Sequence, residues 1–225
     1  MFDRLPEYPW EQLKPYAEKA RAHHGGLVDL SVGSPVDPTP EIIRAALEAA
    51  SNSPGYPSTG GSPEFKTAVV EWFARRRGVS RLSAENVMPS IGSKELISFL
   101  PLLLGLGKGD VVVQPKVAYT AYIVGAALVD AEIVSEDDPS LWPANTKLIW
   151  INSPGNPDGR VLDVDQMKAA VDRARELGAV LASDECYAEL GWDDWSNKLI
   201  PSVLDPRVCG VDYTNILALY SLSKQ

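Results

Sequence analysis

Residues 146–157 read TKLIWINSPGNP. Leu148, Ile149, Trp150 and Ile151 are apolar without a break, and then Asn152, Ser153, Pro154, Gly155, Asn156 and Pro157 follow. A strand with one wet face would alternate apolar and polar residues. An unbroken run that stops at a cluster of turn formers predicts a strand covered on both faces. The same grammar recurs on either side, in DVVVQP (110–115), AEIVS (131–135), AVLASDE (179–185) and NILALYSLS (215–223). Between these runs stand helical stretches: GSKELISFLPLLLGL (92–106), YTAYIVGAAL (119–128) and DVDQMKAAVDRARELG (163–178). Strands alternating with helices predict an α/β fold, a mostly parallel sheet with helices on both faces.

The amino-terminal part follows other patterns. Residues 1–26 are polar and proline-bearing, read as an arm and a short helix. LVDLSVG (27–33) is expected as a short strand entering a Gly-Ser-Pro turn. In DPTPEIIRAALEAAS (37–51), Thr39 is expected as N-cap and Pro40 as first helical residue, with Ile42, Ile43, Ala46, Leu47 and Ala50 at helical spacing. In SPEFKTAVVEWFARRRG (62–78), Ser62 caps, Phe65, Val69, Trp72 and Phe73 form the buried stripe, and Gly78 stops the helix. The Arg75, Arg76, Arg77 run at that helix's end is read as a surface feature complementing the helix dipole.

Composition narrows the function. The 225 residues are 45% hydrophobic, enough for a real core, and carry a formal net charge of −9. That charge argues against nucleic-acid binding and against anionic membrane surfaces. Two cysteines, Cys186 and Cys209, are too few for a disulfide framework and suggest a reducing compartment. No apolar run reaches membrane-spanning length, and the amino terminus lacks the apolar centre of a signal peptide, so a cytoplasmic location is expected.

In parallel sheets a ligand sits beyond the carboxyl ends of the strands. Those ends deliver Tyr119, Asn152 and Asn156, then Asp184 and Tyr187, and finally Ser221, Ser223 and Lys224. A shielded amine can act as a nucleophile towards a carbonyl. Hydroxyls suit a phosphate, a carboxylate can pair with a protonated ring nitrogen, and a phenol and an amide can bond a ring oxygen. Together these are the demands of pyridoxal 5′-phosphate (PLP). Taken singly, each residue has a plainer reading: Lys224 a solvated lysine, Asp184-Glu185 a turn pair, Asn152 and Asn156 a loop. Tyr122 is read as core and Cys186 as packing.

The motifs NSPGNPDG (152–159), SDECYAEL (183–190), SLSK (221–224), YPSTGGSPEFKTAV (56–69), IGSKELI (91–97) and VGSPVDPTP (32–40) stand in one order along nearly the whole chain. In this the chain resembles the fold-type I, aspartate-aminotransferase-like PLP enzymes. The resemblance implies a PLP-binding large domain over residues 37–225, after an arm and small-domain segment over 1–36. It implies that Lys224 carries the cofactor as a Schiff base and moves the substrate proton, and that Asp184 pairs with the pyridinium. Tyr187 and Asn156 would bond the ring's phenolic oxygen, and Tyr119 would stack on the ring. Gly92, Ser93 and Lys94, opening a helix, would cradle the phosphate with Ser221 and Ser223. Tyr56 would reach the phosphate of a neighbouring subunit, implying a homodimer with shared sites, and Gly33 would approach the substrate carboxylate. Asp158 stands where the family usually has threonine, a change between two turn-forming side chains.

MFDRLPEYPWEQLKPYAEKA (1–20), IGSKEL (91–96) and SDECYAELGW (183–192) are similar to the actinobacterial N-succinyldiaminopimelate aminotransferases. That similarity implies amino transfer between glutamate/2-oxoglutarate and N-succinyl-L-2-amino-6-oxopimelate, on the way to diaminopimelate and lysine. Members of the family continue past the lysine, with a phosphate-binding arginine, a carboxylate-binding arginine and most of the small domain. The sequence is therefore expected to be a segment of such a protein. Open alternatives are another amino-acid aminotransferase, a C–S lyase of the same fold, or a non-catalytic module for binding or dimerisation.

Overall fold

The apolar runs become five strands, all paired in parallel. In the computed structural model, which describes residues 5–7, 9–31, 33 and 36–224, these are β1 (Val111–Gln114), β2 (Glu132–Ser135), β3 (Thr146–Asn152), β4 (Val180–Asp184) and β5 (Ile216–Leu219). Their order across the sheet is β2-β1-β3-β4-β5. The direction of strand addition reverses between β1 and β3, the place where a doubly wound sheet opens a crevice at its carboxyl edge. The register sets Asn152 beside Asp184 and Asp184 beside Leu219. Three neighbouring strands thus end level with one another.

Side chains alternate across the sheet, so each apolar run feeds two cores. On one face Val111, Val113, Ile149, Ile151, Leu181 and Ile216 join a cluster with Met167, Ala170, Val171 and Ala174 of α6 (Val164–Leu177) and Phe73 of α3 (Pro63–Arg77). On the other, Val112, Leu148, Trp150, Ala182 and Leu219 meet Ile97 and Leu100 of α4 (Ser93–Leu103) and Ala121, Tyr122 and Ala126 of α5 (Ala121–Leu128). Each large aliphatic side chain buried this way contributes about 2 kcal/mol. The expected two-sided parallel sheet is what forms.

Local signals set the helix ends. Ser62 Oγ accepts the Phe65 N–H at 3.1 Å, and Gly78 closes α3 in the left-handed conformation at φ 68°. Asp163 and Gln166 cap α6 reciprocally. Phe65 is 42% exposed, so the buried stripe of α3 begins later than expected. Arg77, expected at the surface, is fully buried.

The chain divides into two units, a larger one that includes Thr59–Gln225 and a smaller one, Glu7–Ser58. The smaller unit holds α1 (Pro9–Arg21) and α2 (Glu41–Ala50). Pro40 rather than Thr39 is the N-cap of α2, and Ile42, Ile43 and Leu47 are exposed. Among the described residues of 27–33 no strand forms, and Val28 and Leu30 are exposed. The described part of this unit offers no partner strand to take up their backbone groups. Residue 32, and Ser34 and Pro35 of the expected turn, lie outside the described residues. A four-residue helix, α7 (Pro206–Cys209), has no counterpart in the sequence reading.

Candidate active site

Asp184 is the last residue of β4 and is only 5% exposed. Its Oδ2 accepts the Tyr122 hydroxyl at 3.0 Å and its Oδ1 the Cys186 N–H at 3.3 Å. Among the described residues it forms no ion pair. A buried carboxylate held by neutral donors leaves its charge available to a cationic group.

The Asn152 side chain anchors the loop after β3. Asn152 donates from Nδ2 to the carbonyls of Asp184 at 2.9 Å and Pro154 at 3.1 Å, and its Oδ1 accepts the Asn156 N–H at 2.7 Å. Ser153 Oγ accepts the Leu162 N–H at 3.0 Å. The Ser153–Pro154 and Asn156–Pro157 peptides are cis. This folding brings the Asn156 amide to the Tyr187 hydroxyl, where Nδ2 donates at 3.3 Å. Burial pushes the Tyr187 phenol above its ordinary range, with Cys186 and Asp184 adding to the effect and the Asn156 bond opposing it.

Lys224 ends a short 3₁₀ turn (Leu222–Lys224) beyond β5. Its Nζ lies 5.9 Å from the centre of the Tyr187 ring, and the side chain is half-buried. Ser221 and Ser223 precede it with hydroxyls 2.8 Å apart, and the Ser223 N–H reaches Ser221 Oγ at 3.2 Å. Cys186 stands between Asp184 and Tyr187 in the chain. Burial and then the Asp184 charge push its thiol up to about 12, against the opposing charge of Lys224.

Cys186 also ties the turn to α4, its Sγ donating to Ser93 Oγ at 3.5 Å. The N-cap of α4 is Gly92 at φ 86°, which has no side chain to cap the first N–H groups. The start of α4, at Gly92, Ser93 and Lys94, therefore offers backbone donors and the positive helix end. Tyr119 meets Tyr122 edge to face, with ring centres 5.9 Å apart, and Tyr122 stacks on Trp150 at 4.9 Å.

Asp184, Tyr187, Asn156, Lys224, Ser93 and, through Tyr122, Tyr119 are thus gathered in the larger unit. Gly33 and Tyr56 belong to the smaller unit, where both are exposed. Two contributors escaped the sequence reading. Tyr122 is core, as expected, yet its hydroxyl serves Asp184. Asn152 stood at a strand end but was given no role; its place beside Asp184 in the register is the signal that identifies it. Asp158 does form a turn, accepting the Arg160 N–H at 3.2 Å. The donor set fits PLP: an amine, a buried acid without a cationic partner among the described residues, an amide–phenol pair and an uncapped helix start. On this geometry Lys224 would hold the aldehyde, Asp184 the ring nitrogen, Asn156 and Tyr187 the ring oxygen, and the start of α4 the phosphate.

Comparison with known proteins identifies the family. The chain is 46% identical over 222 residues to the 4-dedimethylamino-4-oxo-anhydrotetracycline transaminase OxyQ of Streptomyces rimosus, covering 98% of this chain and 60% of the relative. It is 48% identical to the probable aminotransferase Rv1178 of Mycobacterium tuberculosis, covering 98% of this chain and 52% of the relative. The crystal structure of an aminotransferase from Neisseria meningitidis superposes with a TM-score of 0.86 at 32% identity, covering 99% of this chain and 60% of that one. The chain thus spans between half and three-fifths of the length of the curated relatives it matches. The model of the family "aminotransferase class I and II" matches residues 26–225, and the chain belongs to that family.

Proposed function

We propose that the protein is a PLP-dependent aminotransferase, moving an amino group between glutamate/2-oxoglutarate and a second oxo acid. The acceptor favoured by the sequence resemblance is N-succinyl-L-2-amino-6-oxopimelate, which would place the reaction in diaminopimelate and lysine formation. The observation that carries the reading is the meeting of Lys224 with Tyr187, 5.9 Å from amine to ring centre, beside the Asn156–Tyr187 hydrogen bond and the buried Asp184.

PLP, when bound, supplies an aldehyde and a ring that accepts electrons. The rest is the work of this chain's residues. Lys224 Nζ would hold the aldehyde and, once displaced by the substrate's amino group, would be free to take the proton from substrate Cα and return it. Asp184 would keep a proton on the ring nitrogen, and its own geometry is fixed by Tyr122 and the Cys186 N–H. Asn156 and Tyr187 present donors to a ring oxygen, and Tyr119 offers a ring face. The N–H groups at Gly92, Ser93 and Lys94, with the Ser221 and Ser223 hydroxyls, would bind the phosphate. The reading includes a cytoplasmic homodimer in which Tyr56, fully exposed in the smaller unit, reaches the partner's phosphate.

The choice of acceptor is open to a direct test, since a 46% identical relative is named for an oxo-tetracycline. The intact protein is supplied with PLP and glutamate and offered N-succinyl-L-2-amino-6-oxopimelate, simple 2-oxo acids and an oxo-anhydrotetracycline in turn, and 2-oxoglutarate is measured. The succinylated acceptor is expected to give the highest kcat/KM. A higher value for another acceptor replaces the substrate. Oxo-acid release from an amino acid without any acceptor replaces transfer by elimination, and a protein that takes up no PLP removes the reading altogether.

A further inference from the structure

Arg77 closes α3 at full burial. Its Nη1 donates to the Ala188 carbonyl and its Nη2 to the Pro201 carbonyl, each at 3.3 Å. Glu185 Oε2 lies 3.7 Å from Nη2, and Glu189 Oε1 lies 3.9 Å from Nη1. The guanidinium carbon is 6.0 Å from the centre of the Tyr220 ring, directly after β5. Arg77 therefore grips the chain on both sides of Tyr187 and also faces the residue that leads into Ser221–Lys224.

Glu185 is equally buried and stands between Asp184 and Tyr187 in the chain. Its Oε1 accepts the Val203 N–H at 2.7 Å and the Ser183 hydroxyl at 3.0 Å, and its own N–H bonds the Leu219 carbonyl at 3.0 Å. Burial pushes this carboxyl up and Arg77 pulls it down. Among the described residues, Arg77 Nε and Glu185 Oε2 have no hydrogen-bond partner. A buried pair at 3.7 Å with unmet atoms is a poor source of stability, because desolvation offsets the attraction. What it does supply is a fixed position for the turn between Asp184 and Tyr187.

We infer that Arg77 is a positioning residue of the cofactor site, acting through Glu185 on the Asp184–Tyr187 turn and through Tyr220 on the segment that carries Lys224. The inference rests on the PLP reading above. A misplacement of 1 Å at such groups can cost a factor of about 100 in function, so loosening both supports should be visible in cofactor binding itself.

The test uses the intact protein stripped of cofactor, as wild type, as the double variant Arg77→Met/Glu185→Leu, and as Arg77→Lys. The double variant removes both charges at similar volume, while Glu189 keeps Arg76 as its partner. Thermal melting, the PLP dissociation constant and the visible circular dichroism of the bound cofactor are measured for each. The double variant leaves the buried partners of both side chains unpaired and is expected to melt clearly below wild type while remaining folded at assay temperature. Its PLP dissociation constant is expected to rise at least about tenfold, with an altered cofactor dichroism. Wild-type affinity and dichroism in a folded double variant, whatever its melting temperature, reduce the pair to a structural role and overturn the inference. Should the double variant not fold, Arg77→Lys decides: it keeps the charge and loses the planar fork, and the same weakening is expected, with wild-type binding overturning the inference. A wild-type protein that takes up no PLP overturns the reading of the site and this inference with it.

Discussion

The hydroxyl of Tyr122 and the carboxylate of Asp184 meet at 3.0 Å, joining the first turn of α5 to the end of β4. Tyr122 is fully buried, so its phenol has no water to turn to. Burial, then the Asp184 charge, push the phenol's pKa far up, and it remains a donor throughout the working pH range. Tyr122→Phe keeps the ring stacked on Trp150 and removes one hydrogen bond to a buried charge. Urea unfolding is expected to show a loss of about 1.5–3 kcal/mol. An unchanged midpoint would mean that Asp184 does not depend on this donor.

Under the proposed function Lys224 carries the chemistry; it adds little to the packing, being half-buried in a short 3₁₀ turn. Lys224→Ala is therefore expected to melt like wild type. After incubation with PLP and borohydride, intact-mass analysis should show the reduced adduct on wild type and none on the variant. An adduct that persists, for example on Lys94, would move the cofactor linkage elsewhere.

The sheet was legible because its strands are unbroken apolar runs, and a run such as 148–151 can be buried only between two layers. The rim was legible because polar residues follow those runs. The smaller unit was not. LVDLSVG has the composition of a strand, but strand formation needs a neighbour, and sequence pattern does not report neighbours. Arg77 misled for a related reason: Arg75, Arg76 and Arg77 look alike in sequence, yet a helix turns about 100° per residue, and only the third faces inward. Tyr122 was read correctly as core and incompletely as a donor, since its hydroxyl has meaning only where β4 ends beneath it.

Cys186 tests the electrostatics of the site without touching its chemistry. Forming a thiolate there places a second negative charge beside Asp184 in a buried position, so the sign of the shift is upward, to about 12. At pH 8 the thiolate fraction should be roughly a thousandfold below that of an ordinary cysteine. Iodoacetamide is expected to label native Cys186 far more slowly than the same residue in urea. Lys224→Ala, which removes a nearby positive charge, should slow it further. Labelling at an unfolded-state rate would show an open site.

Gly125 sets how closely α5 approaches α4, and two effects compete there. Replacing a mid-helix glycine with alanine favours the helix by about 1 kcal/mol. A Cβ at this position, however, would stand 3.0 Å from the Ser98 carbonyl oxygen, 3.1 Å from that of Ile97 and 3.1 Å from Pro101 Cγ. Backbone carbonyls inside a helix cannot rotate away, so α4 and α5 must separate by a few tenths of an ångström. Overpacking of this kind costs about 1–3 kcal/mol and outweighs the propensity gain. Gly125→Ala is expected to lower stability by a net of about 1 kcal/mol in urea unfolding. The same displacement moves the start of α4, where Ser93 meets Cys186, so PLP affinity should fall along with stability. A variant more stable than wild type would show that the two helices have room to spare.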